Sequence, residues 1–266
     1  PNIKVEQDAT IDFQEGNLNL VVDDKSKITL NLNSYKDLNI SLKGSGTLNL
    51  NSNLDTIPMI QFDKEANING TLEIANVPSD VRNITFKSVR LSNQGSITKP
   101  YESDLYIEKL EVESFTETFI HKIDILDSAN INQPSTIRLS DTNFGDQSTL
   151  NYNIYNFDSF DPFLVGELNK KPNKIYLINT DKNKKPPKNK EYTVISGYFI
   201  KGCRSWMDSF DLSNSGFDSI ECREIPLQGP KTKSDNDIPY AIIAKRTKDD
   251  EKKTANGTEK NKRKVD

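Results

Sequence analysis

Residues 18–51 read LNLVVDDKSKITLNLNSYKDLNISLKGSGTLNLN, and the reading of this stretch decides the fold. On an extended chain successive side chains point to opposite faces. Leu18, Leu20 and Val22 therefore share a face. So do Ile28, Leu30 and Leu32, then Leu38, Ile40 and Leu42, then Leu48 and Leu50. Their partners on the other face are mostly Asn, Thr, Ser, Lys and Asp. The apolar phrases start ten residues apart, at 18, 28, 38 and 48. Each unit reads as a strand of about five residues and a turn of about five. The turns DDKSK, NSYKD and KGSGT hold the Asp, Asn, Ser and Gly that tight turns need.

The strict spacing then decays while the phrase persists. Ile60 and Phe62 are followed by Leu72 and Ile74, Ile84 and Phe86, Leu105 and Ile107, Leu110 and Val112, Ile123 and Ile125, and Ile137 and Leu139. TLNYNIYNF (149–157) comes last. No stretch through residue 167 carries an apolar stripe of helical period.

An antiparallel meander and a parallel solenoid both fit a strand–turn repeat. The number of units favours the solenoid, because an open meander of a dozen strands has to curl or split. The 29 asparagines suit stacked coils too, since polar side chains on neighbouring rungs can form ladders. Composition agrees. Hydrophobic residues make up only 34% of 266. A slender core needs fewer of them than a globule, and a disordered chain would not show period-two runs.

The phrases ATIDF, LNISLKGSGTLNLN and RNITFKSVRLSNQGSI, within residues 9–157, resemble right-handed parallel β-helix proteins, the pectin-lyase-like and surface-protein β-solenoids. The resemblance is one of architecture. It implies an all-β parallel β-helix, here over 1–167, with residues 168–246 as a C-terminal β cap or last distorted coils. That second block has longer candidate strands, KIYLI (174–178), EYTVISGYFI (191–200), FDSIECREIPL (217–227) and PYAIIAKRT (239–247). It also holds the single Trp and both cysteines. A small separate β-domain is the alternative for it. Residues 247–266 are expected to be a disordered charged tail. KNKRK in that tail also matches a nuclear-import pattern, but a solvated linker is the simpler reading.

The net charge of −4 does not predict a nucleic-acid or acidic-membrane partner, and no nucleic-acid partner is expected. KNKKPPKNK (182–190) is a local exception. No apolar run is long enough for a membrane span. The chain begins at Pro1, which reads as a mature form or an excised piece. Cys203 and Cys222, 19 positions apart, are a candidate disulfide if the compartment is oxidising. Asn39, Asn69, Asn83 and Asn256 begin Asn-x-Ser/Thr acceptors for N-glycosylation.

Catalytic signals are sparse. His121, the one histidine, sits in FIHKIDIL, where parity groups Phe119, His121, Ile123 and Ile125 on one inward face. One His and two separated Cys exclude the common zinc sites. Asn179–Asp181 reads NTD, a fragment shared with the polygalacturonases, but that family's Gly-His-Gly and Arg-Ile-Lys are missing. A turn after KIYLI is the plainer account. The carboxylates of VDD (22–24) lie far from it in sequence. The acidic run Glu102, Asp104, Glu108, Glu111, Glu113 and Glu117 could supply oxygen ligands to Ca²⁺ if stacked on coils, and a solvated face is the plainer account. No phosphate loop or Cys nucleophile context is present. The sequence therefore points to a non-catalytic secreted or cell-surface β-solenoid, an adhesive or structural scaffold with a glycan or protein ligand and no cofactor. The alternative is a carbohydrate-active β-helix enzyme, a polysaccharide lyase or hydrolase.

Overall fold

A computed structural model describes residues 2–5, 9–13, 17–22, 26–32, 39–43, 47–52, 60–75, 83–199, 202–225 and 238–249. Leu38, Asp23, Asp24, Asn256 and the tail from residue 250 lie outside them.

The ten-residue phrases become strands that alternate between two sheets. In chain order these are β1 (Asn2–Val5), β2 (Ala9–Phe13), β3 (Asn17–Val22), β4 (Lys27–Leu32) and β5 (Asn39–Lys43), then β6 (Thr47–Ser52), β7 (Ile60–Ile68), β8 (Thr71–Ala75), β9 (Asn83–Leu91) and β10 (Ser96–Thr98). Odd strands stack in one sheet and even strands in the other, all in parallel. Leu20 pairs with Leu42 and Ile28 with Leu48. Two phrases thus make one turn. The chain is a β-solenoid of about five turns.

From residue 104 the coil gains corners. The next strands are β11 (Asp104–Val112), β12 (Glu117–Ile120), β13 (Ile123–Asn132), β14 (Thr136–Phe144) and β15 (Thr149–Ile154). The β11–β13 register slips between Ile107 and Lys109, which bends both strands. The first half of β13 then lies against the end of β14, and its second half against β15. The first half of β14 stacks on β12. Each turn so acquires three straight faces.

Stacking alone builds the interior. Ile84, Leu105 and Ile123 form one column, Phe86, Ile107, Ile125 and Phe144 a second, and Leu91, Val112, Ile131, Tyr152 and Leu177 a third. All are buried. A Cβ on Gly95 would collide with the Ile68 carbonyl of the coil below, so only glycine lets that corner settle.

Parallel pairing continues past residue 167. The strands β16 (Phe163–Lys170) and β18 (Glu191–Phe199) extend the column from β14. The strands β17 (Lys174–Asn179) and β19 (Phe210–Asp211) extend the one from β15. The chain then reverses. The strands β20 (Ser219–Glu224) and β21 (Pro239–Lys245) pair antiparallel, and β21 closes on β18. This is the C-terminal cap. Phe157, Phe160, Tyr192 and Phe217 pack edge to face beneath it. Its outer strand carries Glu221 and Arg223, charges that keep an open strand edge from recruiting other chains.

Candidate functional site

The strand β12 and its flanks put bulky apolar groups on the wrong side. Thr116, Thr118 and Ile120 face the core, while Phe115, Glu117, Phe119 and His121 face out. Phe115 is 79% exposed and Phe119 58%. Folding gains nothing from rings placed there. Phe115 also holds a left-handed backbone, φ 64°, which bulky residues seldom adopt. Its N–H donates to Pro134 O of the next coil at 2.5 Å, and this fixes the conformation.

Beyond Ile120 the chain turns a corner. Lys122 is left-handed (φ 51°) and donates its N–H to Ser140 Oγ at 3.0 Å. The same oxygen lies 2.6 Å from His121 Nδ1, so Ser140 fixes the imidazole. From the loop before β11, Tyr101 stacks on that ring, centroids 4.8 Å apart and planes 21° from parallel. The outward row Phe115–Glu117–Phe119–His121 therefore ends in a two-ring plate. At the rise of an extended strand it spans roughly 20 Å.

This corner corrects the parity read from the sequence. Phe119 points out while Ile123 and Ile125 point in, because the bend at His121–Lys122 resets the alternation. The signal was present in SFTETFI. Anchoring on Ile120 as inward puts both phenylalanines outside, at the cost of accepting two inward threonines.

Charged groups border the plate on β11 and β13. Lys122 pairs with Asp104, and the hydrogen bond to Asp104 raises the Lys122 ammonium above the usual lysine range. Burial, then the Lys122 charge, lowers the Lys99 ammonium, which donates to Ser103 O. Burial pushes the Asp124 carboxyl up, against the hydrogen bond it accepts from Asn143 Nδ2 at 2.6 Å. Burial, then Asp104 and Asp124, raises the Tyr106 phenol. Asp104 and Asp124 are thus both engaged by protein groups. The cluster offers donors and acceptors beside an aromatic plate, the combination that binds the faces and hydroxyls of a sugar.

Cys203 and Cys222 form a disulfide, Cα atoms 5.6 Å apart, joining the short helix Cys203–Ser209 to β20. Asn83 is exposed at the start of β9. Asn69 is half-buried and donates to Ser92 Oγ at 3.2 Å. Asn39 opens β5, and its side chain lies outside the described residues. In the NTD tripeptide, Asn179 Oδ1 accepts the Asp181 N–H and Asp181 Oδ1 accepts the Asn183 N–H, each at 3.1 Å; these are turn contacts. In the acidic run Glu102 and Glu117 are exposed, and Arg90 pairs with both Glu111 and Glu113. Among the described residues, no three His, Cys, Asp or Glu side chains come together to hold a metal ion. Nor is any helix among them long and apolar enough to cross a membrane.

No protein-family model, curated protein or solved structure matches this chain.

Proposed function

We propose that the chain is a non-catalytic binding module of a secreted or cell-surface protein, and that it holds an extended glycan along the outward row of β12. The observation that carries this reading is the row itself. Phe115 and Phe119 are exposed on a strand whose other side already fills the core, and Tyr101 on His121 continues the row. Exposed rings in line favour a long ligand with flat apolar faces over a compact one. The disulfide supports an oxidising compartment, as for secreted domains. A binding role is favoured over hydrolysis or elimination because the two half-buried carboxylates beside the plate are tied to protein groups, Asp104 to Lys122 and Asp124 to Asn143.

The test is a panel of uncharged polysaccharides against the purified chain, with Phe119→Ser and Tyr101→Ser. Binding by the native chain and at least a tenfold loss in each variant is the expected result. A chain that binds no polysaccharide of the panel, or variants that bind as well as the native chain, would overturn the reading.

A further inference from the structure

Residues 182–190, KNKKPPKNK, carry five lysines and no acidic residue. Charges this dense repel one another, and a segment with no task would be expected to stay loose and solvated. This one is pinned along its whole length. Asn179, nearly buried at the end of β17, donates from Nδ2 to Lys184 O at 2.5 Å. Lys184 N–H donates to Asp181 O at 3.0 Å and Lys190 N–H to Pro187 O at 3.3 Å. Arg246 clamps the far side, giving Nη1–H to Pro186 O at 3.0 Å and accepting the Asn189 N–H at 2.8 Å. Pro186 is buried against Gly216, where a Cβ would sit 2.9 Å from its Cδ. The NTD tripeptide is thus the staple of a lysine loop.

We propose that this loop is a preformed site for an acidic polysaccharide, one bearing sulfate or carboxylate groups along its length. Ordering the cations in advance lowers the entropy lost on binding. Two of them pair at the surface, Lys184 with the half-buried Asp181 at 3.9 Å and Lys188 with the exposed Asp249 at 2.5 Å, and a ligand anion can displace such pairs. The chemistry selects the polymer. All five cations are ammonium point charges, without the guanidinium forks that grip phosphate in two bonds. Between 182 and 190 no aromatic ring is available to stack a base, and no Leu, Ile, Val, Phe or Trp to enter a lipid surface. The site is separate from the β12 row and does not depend on it.

The full chain is tested on immobilised heparin as the probe, with neutral dextran, duplex DNA and phosphatidylserine vesicles alongside. The chain is expected to be held on heparin far more tightly than on dextran. The triple variant Lys182→Gln, Lys184→Gln, Lys188→Gln should lose at least tenfold in affinity, with an unchanged melting temperature. Its slope of log affinity against log salt should be shallower by about two to three. Asn179→Ala keeps every charge and frees the loop, so affinity should fall severalfold while the slope stays put. Phe119→Ser should bind heparin like the native chain, which separates this site from the β12 row. Native-like binding by the triple variant or by Asn179→Ala overturns the proposal. So does equal affinity for DNA or vesicles.

Discussion

The ring of Phe62 lies flat on that of Phe86, centroids 4.2 Å apart and planes 5° from parallel. The two are register partners on β7 and β9, so one coil stands on the next through these rings. Both are fully buried. Phe86→Ala leaves a cavity open to both neighbouring rungs and is expected to cost about 3–5 kcal/mol. Phe86→Leu, which keeps most of the volume, should cost well under half of that. Denaturant melts of the two variants provide the check, and equal midpoints would contradict an interior built by stacking.

Adjacent residues on β12 test the corrected parity. Ile120 is 1% exposed and Phe119 58%. Ile120→Ser removes a packed side chain and buries a hydroxyl, an expected loss of about 3–4 kcal/mol. Phe119→Ser should stay within about 0.5 kcal/mol of the native chain. Thermal melts that reverse this order would restore the inward placement of Phe119 and remove the aromatic row.

The cap depends on its disulfide. Cys203 is buried, and the bond ties the short helix to β20, whose strand partner among the described residues is β21. A 19-residue closure is worth about 3 kcal/mol in the chain-entropy model. Cys203→Ala with Cys222→Ala should therefore expose amides of β20 and β21 to hydrogen exchange. Amides of β11, β13 and β15 should keep their protection, because solenoid coils are stabilised mainly by their neighbours. Uniform loss of protection would mean that the cap and coils unfold as one unit.

Legibility from sequence followed the physics of each segment. Leu18 to Leu50 could be read because apolar and polar residues alternate and the period is strict. That consecutive phrases lie in different sheets could not, since Leu20 pairs with Leu42 and skips the phrase between them. Corners were the second blind spot. A bend such as His121–Lys122 flips the alternation without leaving a Gly or Pro, and an aromatic residue such as Phe119 is assigned to the core by default. The third was composition. Tyr176, Tyr192 and Tyr198 make 174–199 look unlike the earlier coils, yet β17 and β18 pair in parallel with them because inward Ile175, Leu177 and Val194 keep the period. The disulfide pairing was legible because only two cysteines exist. The lysine loop was visible as charge, but its staple was not, because Asn179 acts through backbone groups that no residue pattern encodes.

Tyr152 provides the pH test. It is fully buried, accepts a hydrogen bond from Gln133 Nε2 at 2.7 Å and donates its own to Asp161 O. Burial, then the Asp161 charge, holds its phenol well above the ordinary tyrosine range. In the unfolded chain the same phenol ionises near pH 10. Below that pH both states keep the proton and titration leaves stability unchanged. Above it the unfolded chain binds fewer protons than the native one, so stability falls as pH rises. The native melting temperature should therefore drop between about pH 10 and 11.5. Tyr152→Phe should be less stable at neutral pH by about 1–3 kcal/mol, because Gln133 and Asp161 lose their partner. Its alkaline decline should also be shallower, with Tyr106 and Tyr192, whose phenols burial likewise raises, supplying what remains. Melts of both chains across that range decide the matter, and parallel alkaline slopes would show that Tyr152 titrates no differently folded and unfolded.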